Sequence, residues 1–389
     1  MNRRRIRSQR NVIDDGFLDL IGREFATHEQ GLAEWLKNAA DATLASGLAA
    51  RSRRVFLCFA DGQVRRPPIF ECVDFVGMTL EEIERRFKPW GRLSEPGEGC
   101  RRYGGYGIGG KFYMRQMFAS SYLITYLQDR LSVFGFDQNR RYGYAHGYRN
   151  RLMSPSGAIG FAGIGPLVEI AELKDAFASG RGGFSVLRGV GPREIEGKID
   201  VDSLCHRLRN HPQAHRPLKS LRISVIHNGT TMIERLGPRS IPRKPDFETP
   251  WVRTVPATLP REGGKEGEVV RLSWDSPSPG TLRLFVSSES LIQQGKMASL
   301  NRVDFLGREG VVASYRIDEL GVTVPLGESI FGECRLSTFD HLDAQKGRKT
   351  RDKLVDSLEM RALLRWVASQ VGLFSRMIEK KVSKRQRDL

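Results

Sequence analysis

Glu34, Asn38 and Asp41 stand within the stretch Gly31–Thr43, GLAEWLKNAADAT. Steps of four and then three residues put all three on one face of a helix. A carboxylate, an amide and a second carboxylate in line can set a general base and a magnesium ligand against a bound phosphate. Leu32, Trp35, Leu36 and Ala39 supply the apolar side, and Ala40 and Ala42 keep the helix slim. Alone, the stretch also describes a solvated amphipathic face. Two further segments weigh against that description. Asp74–Thr79, DFVGMT, follows a run of strand residues, and Gly104–Lys111, GGYGIGGK, opens a helical pattern. A glycine run lets backbone N–H groups approach phosphates at a helix N-terminus, where the dipole favours anions. A carboxylate at a strand end can accept a hydrogen bond from an exocyclic amine such as that of adenine, and Gly77 leaves room for a flat base.

The elements that must position these residues can be read in order. Helical patterns fill roughly 15–26 and 29–50, with strands at Arg54–Ala60 and Ile69–Phe75. Thr79 caps the next helix, and Glu82 three residues later completes a capping box. Lys88–Gly110 reads as a loop long enough to be functional, often a lid. Lys111–Ser120 reads as a short helix. Strands follow at Ser121–Tyr126, Arg130–Phe136, near 141–148 and at Gly183–Arg188, then a helix at Asp202–Leu208 and a strand at Leu221–Ile226. A helix–strand–helix start followed by consecutive strands predicts an α+β sandwich. The expected organisation is a basic arm at 1–11, a first domain at 12–236, a Pro- and Gly-rich crossing at 237–267, and a second, smaller α+β domain at 268–389. That second domain ends in a long amphipathic helix over Asp352–Lys381, with Leu354, Leu358, Leu363, Leu364, Val367, Val371 and Phe374 on its apolar side.

The 389 residues carry 62 Lys and Arg against 45 Asp and Glu, a net charge of +17. Such an excess attracts polyanions, meaning nucleic acid or nucleotide. The five cysteines are scattered without a CxxC pair, which points to free thiols in a reducing cytoplasm and away from a zinc site or a disulfide framework. No apolar run approaches the roughly 20 residues of a membrane span. The basic start, MNRRRIRSQR, has no apolar segment behind it, so no secretory signal or membrane association is expected.

Together the three segments resemble the GHKL superfamily of Bergerat-fold ATPases, in particular its MORC- and MutL-type members. Glu34–Ala42 is similar to the family's ExxxNAxDA box, Asp74–Met78 to its DxGxGM box, and Gly104–Lys111 to its GxxGxG box with the GGK continuation. The resemblance spans roughly residues 12–230. It implies a Bergerat-fold α/β sandwich followed by a transducer-like domain. It also implies ATP and magnesium as cofactors. Glu34 would activate the attacking water and Asn38 would ligate the metal. Asp41 would order the pocket through water. Asp74 would read adenine N6, with Gly77 and Met78 along the base. Gly104, Gly107 and Gly109 would cradle the phosphates, with Lys111 close by, and Lys88–Arg102 would form the lid. Asp74 departs from the family register by one residue, because the family Asp falls at Val73. Either the turn is one residue shorter or adenine is read differently; the shorter turn is preferred, since Val73 cannot accept a hydrogen bond. Ser185 would stand in for the family's strand-start Thr. In the basic loop 343–352 the resemblance implies a lysine on the γ-phosphate, Lys346 first and Lys349 second. The implied function is a magnesium-dependent ATPase acting as a nucleotide-gated homodimeric clamp on nucleic acid, in DNA handling or genome defence, with possible partner proteins of a multi-component system. The alternative is a nucleotide-sensing interaction module with little or no turnover.

Overall fold

The computed structural model describes residues 27–46, 53–90, 109–261, 267–272, 279–292, 299–307, 310–340, 353–354 and 356–387. The expected arm at 1–11, the helix at 15–26 and the loop 343–352 lie outside the described residues. The first described helix, α1 (His28–Ala45), starts where the Thr27 hydroxyl accepts from the Gln30 N–H at 3.4 Å. Its Leu32, Trp35 and Leu36 are fully buried, and each such side chain contributes about 1.5–3 kcal/mol by leaving water. The helix stops at Ala45 with Ser46 as cap, short of the expected 50.

Strands β1 (Arg54–Ala60) and β2 (Ile69–Asp74) lead to α2 (Leu80–Glu82), which widens into a π-helical turn at Ile83–Phe87. The capping box at Thr79 and Glu82 forms with both of its hydrogen bonds. After α3 (Gly109–Gln116) come β3 (Phe118–Leu127), β4 (Arg130–Phe136), β5 (Tyr142–Tyr144) and β6 (Arg151–Leu152). Three short helices follow, α4 (Pro155–Ala162), α5 (Gly165–Ile170) and α6 (Lys174–Ala178), and then β7 (Phe184–Pro192), α7 (Val201–Asn210), a 3-10 turn at Pro212–Ala214, α8 (His215–Ser220), β8 (Arg222–His227) and β9 (Thr230–Ile233). The strands form one sheet in the order β5-β4-β3-β7-β2-β1-β8-β9, with β6 also on β4. Every pairing is antiparallel except β1 with β8.

The sheet is covered on both faces. Val55, Leu57, Cys72, Leu123 and Leu187 pack under α1, α3 and α7. Phe56, Val73, Ile124, Phe184 and Val186 point the other way and pack under α4, α5 and α6. An α+β sandwich is therefore the architecture of this part. The three covering helices have no counterpart in the sequence reading, since each is too short to show a helical period. Their punctuation was present: Ser154 caps α4 ahead of Pro155, and Gly163 ends it at φ +73°.

A second sheet has the order β10 (Trp251–Val255), β13 (Gly280–Val286), β16 (Ile330–Leu336), β14 (Arg302–Leu306) and β15 (Val311–Arg316), beside a small hairpin of β11 (Thr258–Pro260) and β12 (Val269–Arg271). The long helix α9 (Leu358–Arg387) buries Leu363, Val367, Val371 and Phe374 against it. Leu358 is left partly exposed at its start, and Leu354 is buried ahead of it. Within the stretch expected to be a crossing, Trp251–Val255 is an edge strand paired along its length with β13. Pro-rich flanks concealed it, and an edge position is where a strand tolerates them.

Around the start of α1 an aromatic cluster joins His28, Phe70, Tyr113 and Phe118. Trp35 stacks on Phe118 at 5.6 Å. His28 Nε2 donates to the Arg193 carbonyl at 3.0 Å, so its Nδ1 is the acceptor for the Tyr113 hydroxyl, also at 3.0 Å. Burial holds this imidazole below its ordinary 6.5, against the pull of the Arg193 carbonyl and Glu29. Burial and then the Arg302 charge push His211 further down, to about 3. Both groups take up protons on unfolding before they do so folded, so stability falls as pH drops below 6.5. Thermal unfolding at about pH 7.5 and about pH 5.5 should show that loss, and a His28→Gln variant should show a smaller one.

Candidate functional site

Glu34, Asn38 and Asp41 lie on α1, and their surroundings come from the segments flanking the sheet. Asn38 meets the N-terminus of α3: a Cβ added to Gly110 would fall 2.7 Å from the Asn38 Nδ2 and 3.4 Å from Trp35. The Trp35 indole N–H donates to the Gly110 carbonyl at 3.4 Å. One turn earlier, a Cβ on Gly31 would run into the Tyr113 ring at 2.0 Å. Glycine at 31 and 110 is thus what lets α1 and α3 approach this closely. The helix with the polar face and the end of the glycine run are in direct contact. Gly109 is buried at the first position of α3, whereas Gly104 and Gly107 lie outside the described residues.

Asp74 ends β2 on the same face of the sheet as α1. Val73, its rival for the family register, points into the opposite core. Asp74 Oδ1 accepts from the Val76 N–H at 3.0 Å, and the Gly77 N–H also bonds this carboxylate. Gly77 takes φ +82°, and a Cβ there would sit 2.3 Å from the Tyr126 carbonyl, so only glycine closes this turn. The side chain is 7% exposed. Burial raises its pKa to about 7, opposed by the two backbone donors.

Directly across from Asp74 is Ser185 on β7, and across from Ser185 is Thr125 on β3. The Thr125 hydroxyl donates to the Phe184 carbonyl at 3.0 Å and accepts from the Met78 N–H at 2.8 Å. Its proton is spent, so at the 3.1 Å contact Ser185 is the donor. The Ser185 oxygen keeps lone pairs able to accept. Asp74, Gly77, Met78 and Ser185 are therefore brought together, with Thr125 as their link. Sequence reasoning missed Thr125; the signal was a hydroxyl residue set between Leu123 and Leu127 on one face of the strand.

Glu34 is 7% exposed and accepts from the Lys37 ammonium at 3.1 Å. Lys37 also donates to Gln213 Oε1 at 3.3 Å. Asp41 is half-buried further along the helix. Lys111 follows Gly110 on α3 and is buried. Its ammonium donates to the Phe87 carbonyl at 2.8 Å and to the Pro89 carbonyl, and lies 5.4 Å from the Trp90 ring. A buried ammonium takes the nearest backbone acceptors, and these are at the end of the π-helical turn. Burial pushes its pKa down to about 7. Lys346 and Lys349 lie outside the described residues, as does most of the expected lid. A cleft of about 400 Å³ lined by His206, Arg209 and Arg239 includes none of the predicted residues. Among the described residues no helix is long and apolar enough to cross a membrane, and Cys58, Cys72, Cys205 and Cys334 are free thiols.

No family model matches the chain, and no curated protein matches it. Among solved structures, the ATPase region of Saccharomyces cerevisiae topoisomerase II is similar at 10% identity and a TM-score of 0.37, over 79% of this chain and 72% of that one.

Proposed function

We propose that this chain is a magnesium-dependent ATPase of the GHKL type. The observation that carries the reading is the meeting of four sequence-distant segments on one face of the sheet: Asn38 against Gly110, with Asp74 and Ser185 paired across the strands and α1 packed on β2. Asp74 accepts the adenine amine at its carboxylate, beside Ser185. Gly109 and Gly110 offer backbone N–H groups at the α3 N-terminus to the phosphates. Glu34 takes the proton of the attacking water. Magnesium needs only one or two side-chain ligands when phosphates and waters complete its shell. Asn38 alone fits that need, and among the described residues no larger cluster of acidic, His or Cys ligands competes with it. Bound there, magnesium would neutralise charge on the transferring phosphoryl group.

The wider reading is a nucleotide-gated homodimeric clamp on nucleic acid, with Lys346 or Lys349 reaching the γ-phosphate. The net charge of +17 supports a polyanionic partner. Binding to duplex DNA should then weaken with salt, log K falling by about 0.9 per phosphate neutralised for each unit of log salt; a flat response sinks that part. The alternative, a nucleotide sensor with little turnover, is favoured by one observation, the ion pair that occupies Glu34. Steady-state ATP turnover by the full chain decides between the two. Magnesium-dependent hydrolysis above background is expected, and binding without hydrolysis would leave the sensor.

A further inference from the structure

The ion pair on Glu34 is tied to the second sheet. Lys37 divides its ammonium between Glu34, at 3.1 Å, and Gln213, at 3.3 Å. Gln213 belongs to the 3-10 turn Pro212–Ala214, which packs on α1 from one side and on β15 of the second sheet from the other. Just before that turn, the Asn210 carbonyl at the end of α7 accepts from Arg302 Nη2 at 2.7 Å. Arg302 stands on β14 of the second sheet and is fixed there by Asp304, at 3.0 Å from its Nε. Between the two contacts lies His211, buried, which feels the charges of Arg302, Glu34 and Lys37 alike. A chain of adjacent groups thus runs from a strand of the second sheet to the carboxylate on α1.

We propose that Lys37, Gln213 and Arg302 form a restraint through which the second sheet governs the carboxylate of Glu34. This rests on the reading of Glu34 as the general base. A carboxylate held by an ammonium is a weaker proton acceptor, so Glu34 acts once Lys37 lets go. Lys37 lets go when the turn bearing Gln213 shifts, and Arg302 grips that turn's approach. Lys37 and Arg302 are in this sense positioning residues, acting on the base and not on the nucleotide.

The test is steady-state ATP turnover by the full chain in Lys37→Met, Lys37→Arg, Arg302→Gln and the Lys37→Met/Arg302→Gln double variant, with Glu34→Gln alongside. Lys37→Met should raise kcat by roughly three- to tenfold with KM for ATP unchanged, since it releases the carboxylate and leaves the nucleotide's own contacts in place. Lys37→Arg, which keeps the pair, should stay near wild type. Arg302→Gln should raise kcat in the presence of Lys37 and add nothing in the Lys37→Met background. An unchanged or lowered kcat in Lys37→Met, an altered KM, or additive effects would overturn the proposal. If Lys37→Met does not fold, Gln213→Leu breaks the same link, and the effect of Arg302→Gln should vanish in its background; persistence of that effect overturns the proposal. Turnover lost in Glu34→Gln but unaffected by Lys37→Met sinks the restraint alone. A wild type that binds ATP and hydrolyses none sinks the reading of Glu34, and the restraint with it.

Discussion

Replacing Glu34 by Gln should lower ATP turnover by roughly 10²–10⁴-fold while MgATP binding is retained. The amide has the shape of the carboxylate and still offers an oxygen to the Lys37 ammonium, 3.1 Å away in the native pair. What it lacks is the capacity to take a proton from water. Loss of kcat with little change in KM is the signature of a group used only in the transition state. Single-turnover measurements with saturating nucleotide separate the chemical step from product release. A Glu34→Gln protein that hydrolyses ATP at the native rate would remove this residue from the mechanism.

Asp74→Asn should abolish adenine recognition and at the same time change the pH dependence of the unliganded protein. The Asn carbonyl can take over the Val76 N–H bond that Oδ1 accepts. The second oxygen then becomes an NH2 donor facing the adenine amine, donor against donor. A site built to accept a hydrogen bond and denied it loses about 10²-fold or more in affinity. Stability moves the other way. The Asp74 carboxyl keeps its proton to about pH 7 when folded and to its ordinary 3.8 when unfolded. The unfolded chain therefore releases that proton first, and native stability declines as pH rises through this window, the whole cost being present above about 7. Asn is neutral at every pH, so the variant should gain on the wild type in thermal unfolding at high pH and lose that advantage below about pH 4. A variant that binds ATP as well as the wild type would remove Asp74 from the pocket.

How far the sequence alone reached depends on whether a feature is local. The strand Arg54–Ala60, the strand Arg130–Phe136 and the capping box at Thr79 follow from neighbouring residues, and they form at the expected positions. Asp74 was harder, because spacing left Val73 and Asp74 as rivals. Pairing with β1 and β7 separates them, placing Val73 in one core and Asp74 under α1. The helices over 155–178 escaped because a helix of five to eight residues completes too few turns to show its period. The contacts of Lys111 with the Phe87 and Pro89 carbonyls were not legible for a different reason: a motif fixes the place of its Cα, and the long side chain then goes to acceptors that the fold supplies. The contact of Lys37 with Gln213 joins residues 176 positions apart, and no spacing rule carries that far.

The claim that α1, the turn at Asp74–Met78 and the start of α3 enclose a nucleotide is tested most directly by calorimetric titration of ATP into the full chain, with magnesium and with a chelator. Saturable binding is expected, weakened by the chelator and, in the magnesium titration, by Asn38→Ala. Absence of saturable binding under both conditions would contradict the claim.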